Sequence, residues 1–246
     1  MSALYDQIGT TYGRFRRSDP RVAAAIDAAL EGCASVVSVG AGAGSYEPRD
    51  RRVAAVEPSR TMIAQRPRDP APVVQAVAGH LPFPDRAFNA ALAVLTAHHW
   101  PDAHRGLAEM QRVASRQVVM TWDRAVSSKY WLIDDYLPEI AGYEETYATV
   151  DTIAAALNAT DIRAIPVPHD CVDGFMAAYW RRPERYLDSD ARAAISGIAL
   201  IDQTIVERAM GALADDLASG AWHRRHADLL DLDELDAGYR LVVADG

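Results

Sequence analysis

Hydrophobic positions along the chain fall into short apolar runs separated by stretches with helical spacing. Residues 19–31, DPRVAAAIDAALE, read as a helix with Asp19 as N-cap and Pro20 in the first helical position. The run ASVVSVG then predicts a short buried strand, RRVAAVEP a second closed by Pro58, and SRTMIAQRP a helix capped by Ser59. PVVQAVA and FNAALAVLTA predict a third and a fourth strand, HRGLAEMQRVA a helix, and RQVVMTWD a fifth strand.

The early strands show no clean polar–apolar alternation, as expected where both faces of a sheet are covered. Strands alternating with helices predict βαβ units, a parallel sheet and right-handed crossovers. Past Asp123, SSKYWLIDDYLPEI and TVDTIAAALNA read as helices and DIRAIPVP as a strand. A mainly helical stretch follows from about Asp173 to Asp236, before a final strand, YRLVVAD. It is too long for a hairpin loop, so it reads as an insertion between the last two strands.

A length of 246 residues suits one domain. A formal charge of −9 argues against nucleic-acid binding, which needs a basic surface. Cys33 and Cys171 make no metal-ligand spacing, and no H-E-x-x-H occurs, so no metal site is expected. No apolar run approaches the roughly 20 residues of a membrane span. The start MSALYDQIGTTYGRF is unlike a secretory leader, so the expected location is cytoplasmic, as a monomer or homodimer.

The chemistry concentrates in VVSVGAGAGSYE, where three glycines in five positions follow the first strand. Glycine lets backbone approach a ligand closely. A P-loop would need G-x-x-x-x-G-K-[ST], and no lysine stands here. A dinucleotide turn needs Gly or Ala at the sixth position, where this chain has Ser45. Glu57 ends the second strand, where an acid can accept hydrogen bonds from two ribose hydroxyls, and open parallel sheets bind ligands at such strand ends.

VVSVGAGAG, VAAVEPSRTMI, HLPFPDRAFNAALAVLTAHHW and RQVVMTWD together resemble the class I S-adenosylmethionine-dependent methyltransferases, in particular a small-molecule group with an LPF-x-D-type segment. The resemblance covers about residues 5–125. It implies a Rossmann-like seven-stranded, mostly parallel sheet with helices on both faces and a helical cap between the last two strands. The implied division is a lid over 1–18, a cofactor core over 19–170, a cap over 171–236 and the last strand over 237–246. The implied cofactor is S-adenosylmethionine and the implied partner a small methyl acceptor.

By the resemblance, Gly40, Ala41 and Gly42 lie against the methionine end of the cofactor, with Thr96 nearby, and Glu57 holds the ribose. Pro58 and Met62 border the adenine, Met62 reading equally as helix–sheet packing; Ala78 and Gly79 sit near the ring, and Leu81 closes over it. Ser38 and Val77 stand where the family usually has acids. His98 and His99 are candidates for a general base or for positioning, histidine having a suitable pKa. Trp122 walls the acceptor, with Asp123 an orienting group or a helix cap. Tyr5, Tyr12 and one of Arg14, Arg16 or Arg17, with Arg17 preferred, cover the site from the lid; Tyr179 and Trp180, with Arg181 or Arg182, do so from the cap. The expected reaction is in-line methyl displacement without a metal. Its rival is a non-catalytic binding or sensor protein on the same fold, with a nicotinamide-dependent oxidoreductase a distant third.

Overall fold

The computed structural model describes residues 12–67, 70–159 and 161–246, the side chain of Tyr12 excepted. Seven strands form one sheet: β1 (Ser35–Val39), β2 (Arg52–Val56), β3 (Val73–Val74), β4 (Phe88–Val94), β5 (Ala114–Trp122), β6 (Asp161–Ala164) and β9 (Tyr239–Asp245). Their order is β3-β2-β1-β4-β5-β9-β6. All run parallel except β9, which is antiparallel to both neighbours.

Period-two side-chain geometry makes two cores from one set of strands. Val36, Leu92, Met120 and Leu241 face the core that holds the helix Pro20–Ala29 and the insertion. Their neighbours Val37, Ala91, Ala93, Val119 and Val242 face the core under the helices Ala103–Val113 and Val150–Leu157. Both faces are therefore covered, as the missing alternation in the sequence requires. The expected helix caps form: Asp19 accepts from the Arg21 amide at 3.0 Å and Ser59 from the Met62 amide at 3.2 Å.

The third strand is shorter than PVVQAVA suggests. Pairing with β2 ends at Val74, where the Glu57 amide donates to the Val74 carbonyl at 3.1 Å. The next residue, Pro58, has no N–H to extend the ladder. Gln75 to Gly79 are thereby released to line a cleft.

The insertion leaves after β6 and returns before β9, rooted by a two-stranded ribbon of β7 (Val167–Pro168) and β8 (Glu234–Leu235). Its large aromatics are core. Trp180 is fully buried, its indole donating to the Val167 carbonyl at 2.9 Å while its own carbonyl accepts from Trp131 at 2.9 Å. Tyr179 packs edge-on against Tyr186 with Arg182 over its ring, and Trp222 packs on Trp131. Tyr179 and Trp180 are buried by these contacts within the core and line neither of the two spaces described below. Among the described residues no helix is long and apolar enough to cross a membrane.

Trp180→Ala is expected to lower unfolding stability by about 3–5 kcal/mol, the cost of emptying a large buried aromatic site. Urea denaturation checks it; a change under 1 kcal/mol would contradict the packing.

Candidate active site

Two spaces meet at the C-terminal ends of β1, β4 and β5. The outer one is a cleft of about 920 Å³, within the size range of small-molecule sites. The glycine turn forms its floor. Amides of Gly40 and Ala41 donate to the Val56 carbonyl at 2.8 and 3.0 Å, pinning the turn to β2. Gly40 has φ +68, and a Cβ there would lie 2.1 Å from Thr96 Oγ1, so the position admits only glycine.

Glu57 is 4% exposed. One of its carboxylate oxygens accepts from the Gly42 amide and the other from the Ser59 amide, each at 2.8 Å. The acid thus ties the glycine turn to the start of the helix Arg60–Ala64 while lining the cleft. Ala41, Pro58, Ala78, Gly79 and Thr96 line it as well. Met62 does two things at once: it is almost wholly buried with its methyl under Gly42, and it contributes to the cleft wall. Ser38 also lines the cleft, and Val77 stands 53% exposed on its rim.

These residues fit a nucleoside with an amino-acid arm. Close backbone approach is available at Gly40–Gly42, an acid stands at the end of β2, and apolar surface lies beyond it. The arrangement provides no lysine or anion-binding loop for a phosphate.

The inner space is smaller, about 70 Å³, and walled by aromatic and aliphatic side chains. Trp122, Tyr147 and Phe175 wall it with Ile133, Ile140 and Ile195. Arg16 and Leu95 line both spaces, so they mark the boundary between them. Leu95 has φ +49, an uncommon backbone for a residue with Cβ, held by its amide bond to the Met120 carbonyl at 2.9 Å. Arg16 is fixed by Asp173, fully buried in the insertion, at 2.7 Å. Tyr46, from the glycine loop, donates to the same carboxylate at 2.9 Å. Burial and the Asp173 charge push the Tyr46 phenol well up, so it stays a donor.

His98 lines the inner cavity and His99 the outer cleft, with ring centroids 3.8 Å apart. His98 packs on Trp122 at 4.5 Å, and its Nδ1 is buried without a hydrogen-bond partner. Burial, with the charges of His99 and Arg16 behind it, lowers the His98 pKa well below the ordinary value. Burial and then Arg16 bring His99 down to about 4. Both rings are neutral near pH 7, and groups so depressed are weak proton acceptors.

Several expected site residues lie elsewhere. Leu81 is buried in the core under the helix Ala103–Val113, its amide donating to Glu109 at 2.7 Å, because Arg112 and Glu109 hold the LPF segment there. Arg17 is exposed and lines neither space; Arg16 has its role, since the turn after Phe15 aims Arg16 inward at Asp173. Asp123 caps the helix Arg124–Ser127, accepting from the Ala125 amide at 2.9 Å. Arg181 and Arg182 donate to the backbone carbonyls of Leu232 and Cys171. Tyr5 and the Tyr12 side chain lie outside the described residues. Trp122 lines the inner space.

The sequence reading missed Tyr46, Glu144 and Tyr147. Tyr46 closes the glycine stretch VVSVGAGAGSYE, whereas Glu144 and Tyr147 stand outside the motif segments, in GYEETY, two acids between tyrosines at the junction of two helices. Among the described residues no group of three or more metal-ligating side chains occurs.

Residues 37–120 match the family model described as a methyltransferase domain. A solved structure from Anabaena variabilis ATCC 29413, assigned to a methyltransferase from an antibiotic biosynthesis pathway, is 30% identical with a TM-score of 0.87, over 94% of this chain and 99% of that one. Geranyl diphosphate C-methyltransferase from Streptomyces coelicolor A3(2), solved with S-adenosyl-L-homocysteine, superposes with a TM-score of 0.52 at 16% identity, over 91% of this chain and 78% of that one. The [4+2]-cyclase SpnF superposes with a TM-score of 0.53 at 16% identity, over 98% and 94%. These last two are likenesses of fold. No curated protein matches the chain.

Glu57→Ala is expected to weaken S-adenosylhomocysteine binding by about 1–3 kcal/mol, through lost hydrogen bonds to a charged acceptor and a loosened turn. Calorimetry checks it; unchanged affinity would remove Glu57 from the site. His99 yields a second expectation. Between pH 6.5 and about 4 the unfolded chain takes up a proton that folded His99 refuses. Stability should therefore fall on acidification through that window, by up to about 3 kcal/mol from this group, and stay flat in this term above it. Urea unfolding against pH should show a shallower fall for His99→Gln; an unchanged slope would contradict a buried neutral ring.

Proposed function

We propose that this chain, which belongs to the class I S-adenosylmethionine-dependent methyltransferases, methylates a small organic molecule held in the inner cavity while the cofactor occupies the outer cleft. The observation that carries this reading is the pair of spaces with Arg16 and Leu95 as their common wall. A transfer enzyme needs two ligands kept apart except at the reacting atoms, and this boundary is where the two spaces adjoin.

S-adenosylmethionine supplies an electrophilic sulfonium methyl, so the chain's own residues have to bind, orient and exclude water. Gly40, Ala41 and Gly42 take the amino-acid arm against backbone, with Thr96 packed beneath them. Glu57 accepts from the ribose hydroxyls. Pro58, Met62, Ala78 and Gly79 border the adenine. Val77 lies on the rim, so polar recognition of the ring falls to backbone groups of the loop after β3.

Trp122 and His98 form the floor between the two ligands. With His98 and His99 neutral and poorly basic, their part is to shape and dry the transfer point. The insertion over 171–236 serves as acceptor cap through Phe175, Met176 and the segment Ile195–Leu200, while its larger aromatics hold the cap together. The segment up to residue 18 acts as a lid through Arg16, locked to the cap by Asp173.

Label from S-adenosylmethionine should be transferred to at least one member of a panel of small amines, phenols and carboxylic acids. Ile195→Trp, which fills the inner cavity, should reduce that turnover at least tenfold with S-adenosylhomocysteine affinity within twofold of wild type. Full turnover in the filled variant would place the acceptor elsewhere.

A further inference from the structure

Among the described residues, one acid lines the inner cavity. Glu144 is 8% exposed, lines the cavity, and has no ion-pair partner among the described residues. Trp122 and Arg124 are its polar neighbours, and both favour the charged carboxylate. The nearby Arg124 guanidinium instead donates to the backbone carbonyl of Glu144 at 2.7 Å. A carboxylate offers about four acceptor sites, and with no ion-pair partner among the described residues this one has sites left for a ligand in the cavity.

The surroundings say which ligand. Trp122 and Tyr147 meet at 90° with centroids 6.2 Å apart, and His98 packs against both. Tyr143 and Tyr239 line the same space. Aromatic faces around a single carboxylate attract a cation. The one cation on the boundary, Arg16, is already bound bidentately to Asp173, and His98 is neutral, so neither repels a positive ligand strongly nor offers a strong anion site. An anionic acceptor would meet Glu144 unpaired.

We propose that Glu144 is the acceptor-binding carboxylate of the inner cavity and that the acceptor is a small amine with an apolar body. This rests on the inner cavity being the acceptor site. The ammonium nitrogen gives one proton to the Glu144 carboxylate and thereby frees its lone pair. That pair forms the new N–C bond as the methyl–sulfur bond breaks, and sulfur keeps the bonding electrons as a neutral thioether. The product leaves as a methylated ammonium ion, and the proton leaves Glu144 for solvent. Burial raises the Glu144 pKa, against the opposing influences of Trp122 and Arg124, which favours its taking up a proton.

The test uses three probes small enough for a space of about 70 Å³, on the full chain saturated with S-adenosylhomocysteine: propylamine, 1-propanol and propionate. Calorimetry at pH 7.5 should show the amine binding at least tenfold more tightly than either of the others. Glu144→Gln should remove that preference, bringing amine and alcohol within threefold, with S-adenosylhomocysteine affinity and melting temperature near wild type. Equal binding of amine and alcohol by wild type, no detectable amine binding, or an amine preference that survives Glu144→Gln would each overturn the assignment. Ile195→Trp separates the two readings. Probes that bind this filled variant as well as wild type refute the inner cavity itself as acceptor site, whereas probes it excludes leave the cavity standing and put only the role of Glu144 at stake.

Discussion

The Arg16–Asp173 pair is the constraint on which the two-compartment arrangement depends. It joins the segment before the first long helix to the insertion 157 residues later, and Tyr46 adds the glycine loop to the same carboxylate. Three remote parts of the chain are thereby fixed around one buried charge. Buried pairs of this kind contribute little net stability, yet removing one partner costs several kcal/mol because the other charge is stranded. Geometry is what the pair contributes: it places the Arg16 side chain between cleft and cavity, where its charge also helps keep His98 and His99 unprotonated.

The cofactor side follows from a second, local constraint. β1 and β2 end side by side, the Gly40 and Ala41 amides close on Val56, and the two oxygens of Glu57 hold the turn and the next helix in register. Gly40 leaves no room above Thr96. Apart from Thr96, this construction uses residues close together in the chain, and its parts were legible in VVSVGAGAGSYE and VAAVEP for that reason. The sheet was legible too, because short apolar runs covered on both faces allow few other architectures.

What the sequence concealed was long-range. Tyr179 and Trp180 have the composition of a ligand wall, but their partners Val167, Trp131 and Tyr186 are set by tertiary packing. Arg16 and Arg17 are indistinguishable as neighbours in a polar segment; only the position of Asp173 selects between them. Leu81 looked like a lid on the ring, yet the Glu109–Arg112 pair anchors its backbone from the adjacent helix. Glu144 and Tyr147 lay in a helix–helix junction with no motif, and only the closure of the insertion turned them into cavity walls.

A crystal structure with S-adenosylhomocysteine is the most direct measurement of the central claim. The account predicts the ribose on Glu57, the amino-acid arm over Gly40–Gly42, and the thioether sulfur facing the opening bounded by Arg16, Leu95 and His98. Adenosine density inside the cavity walled by Trp122 and Ile195, or a sulfur turned away from that opening, would contradict it.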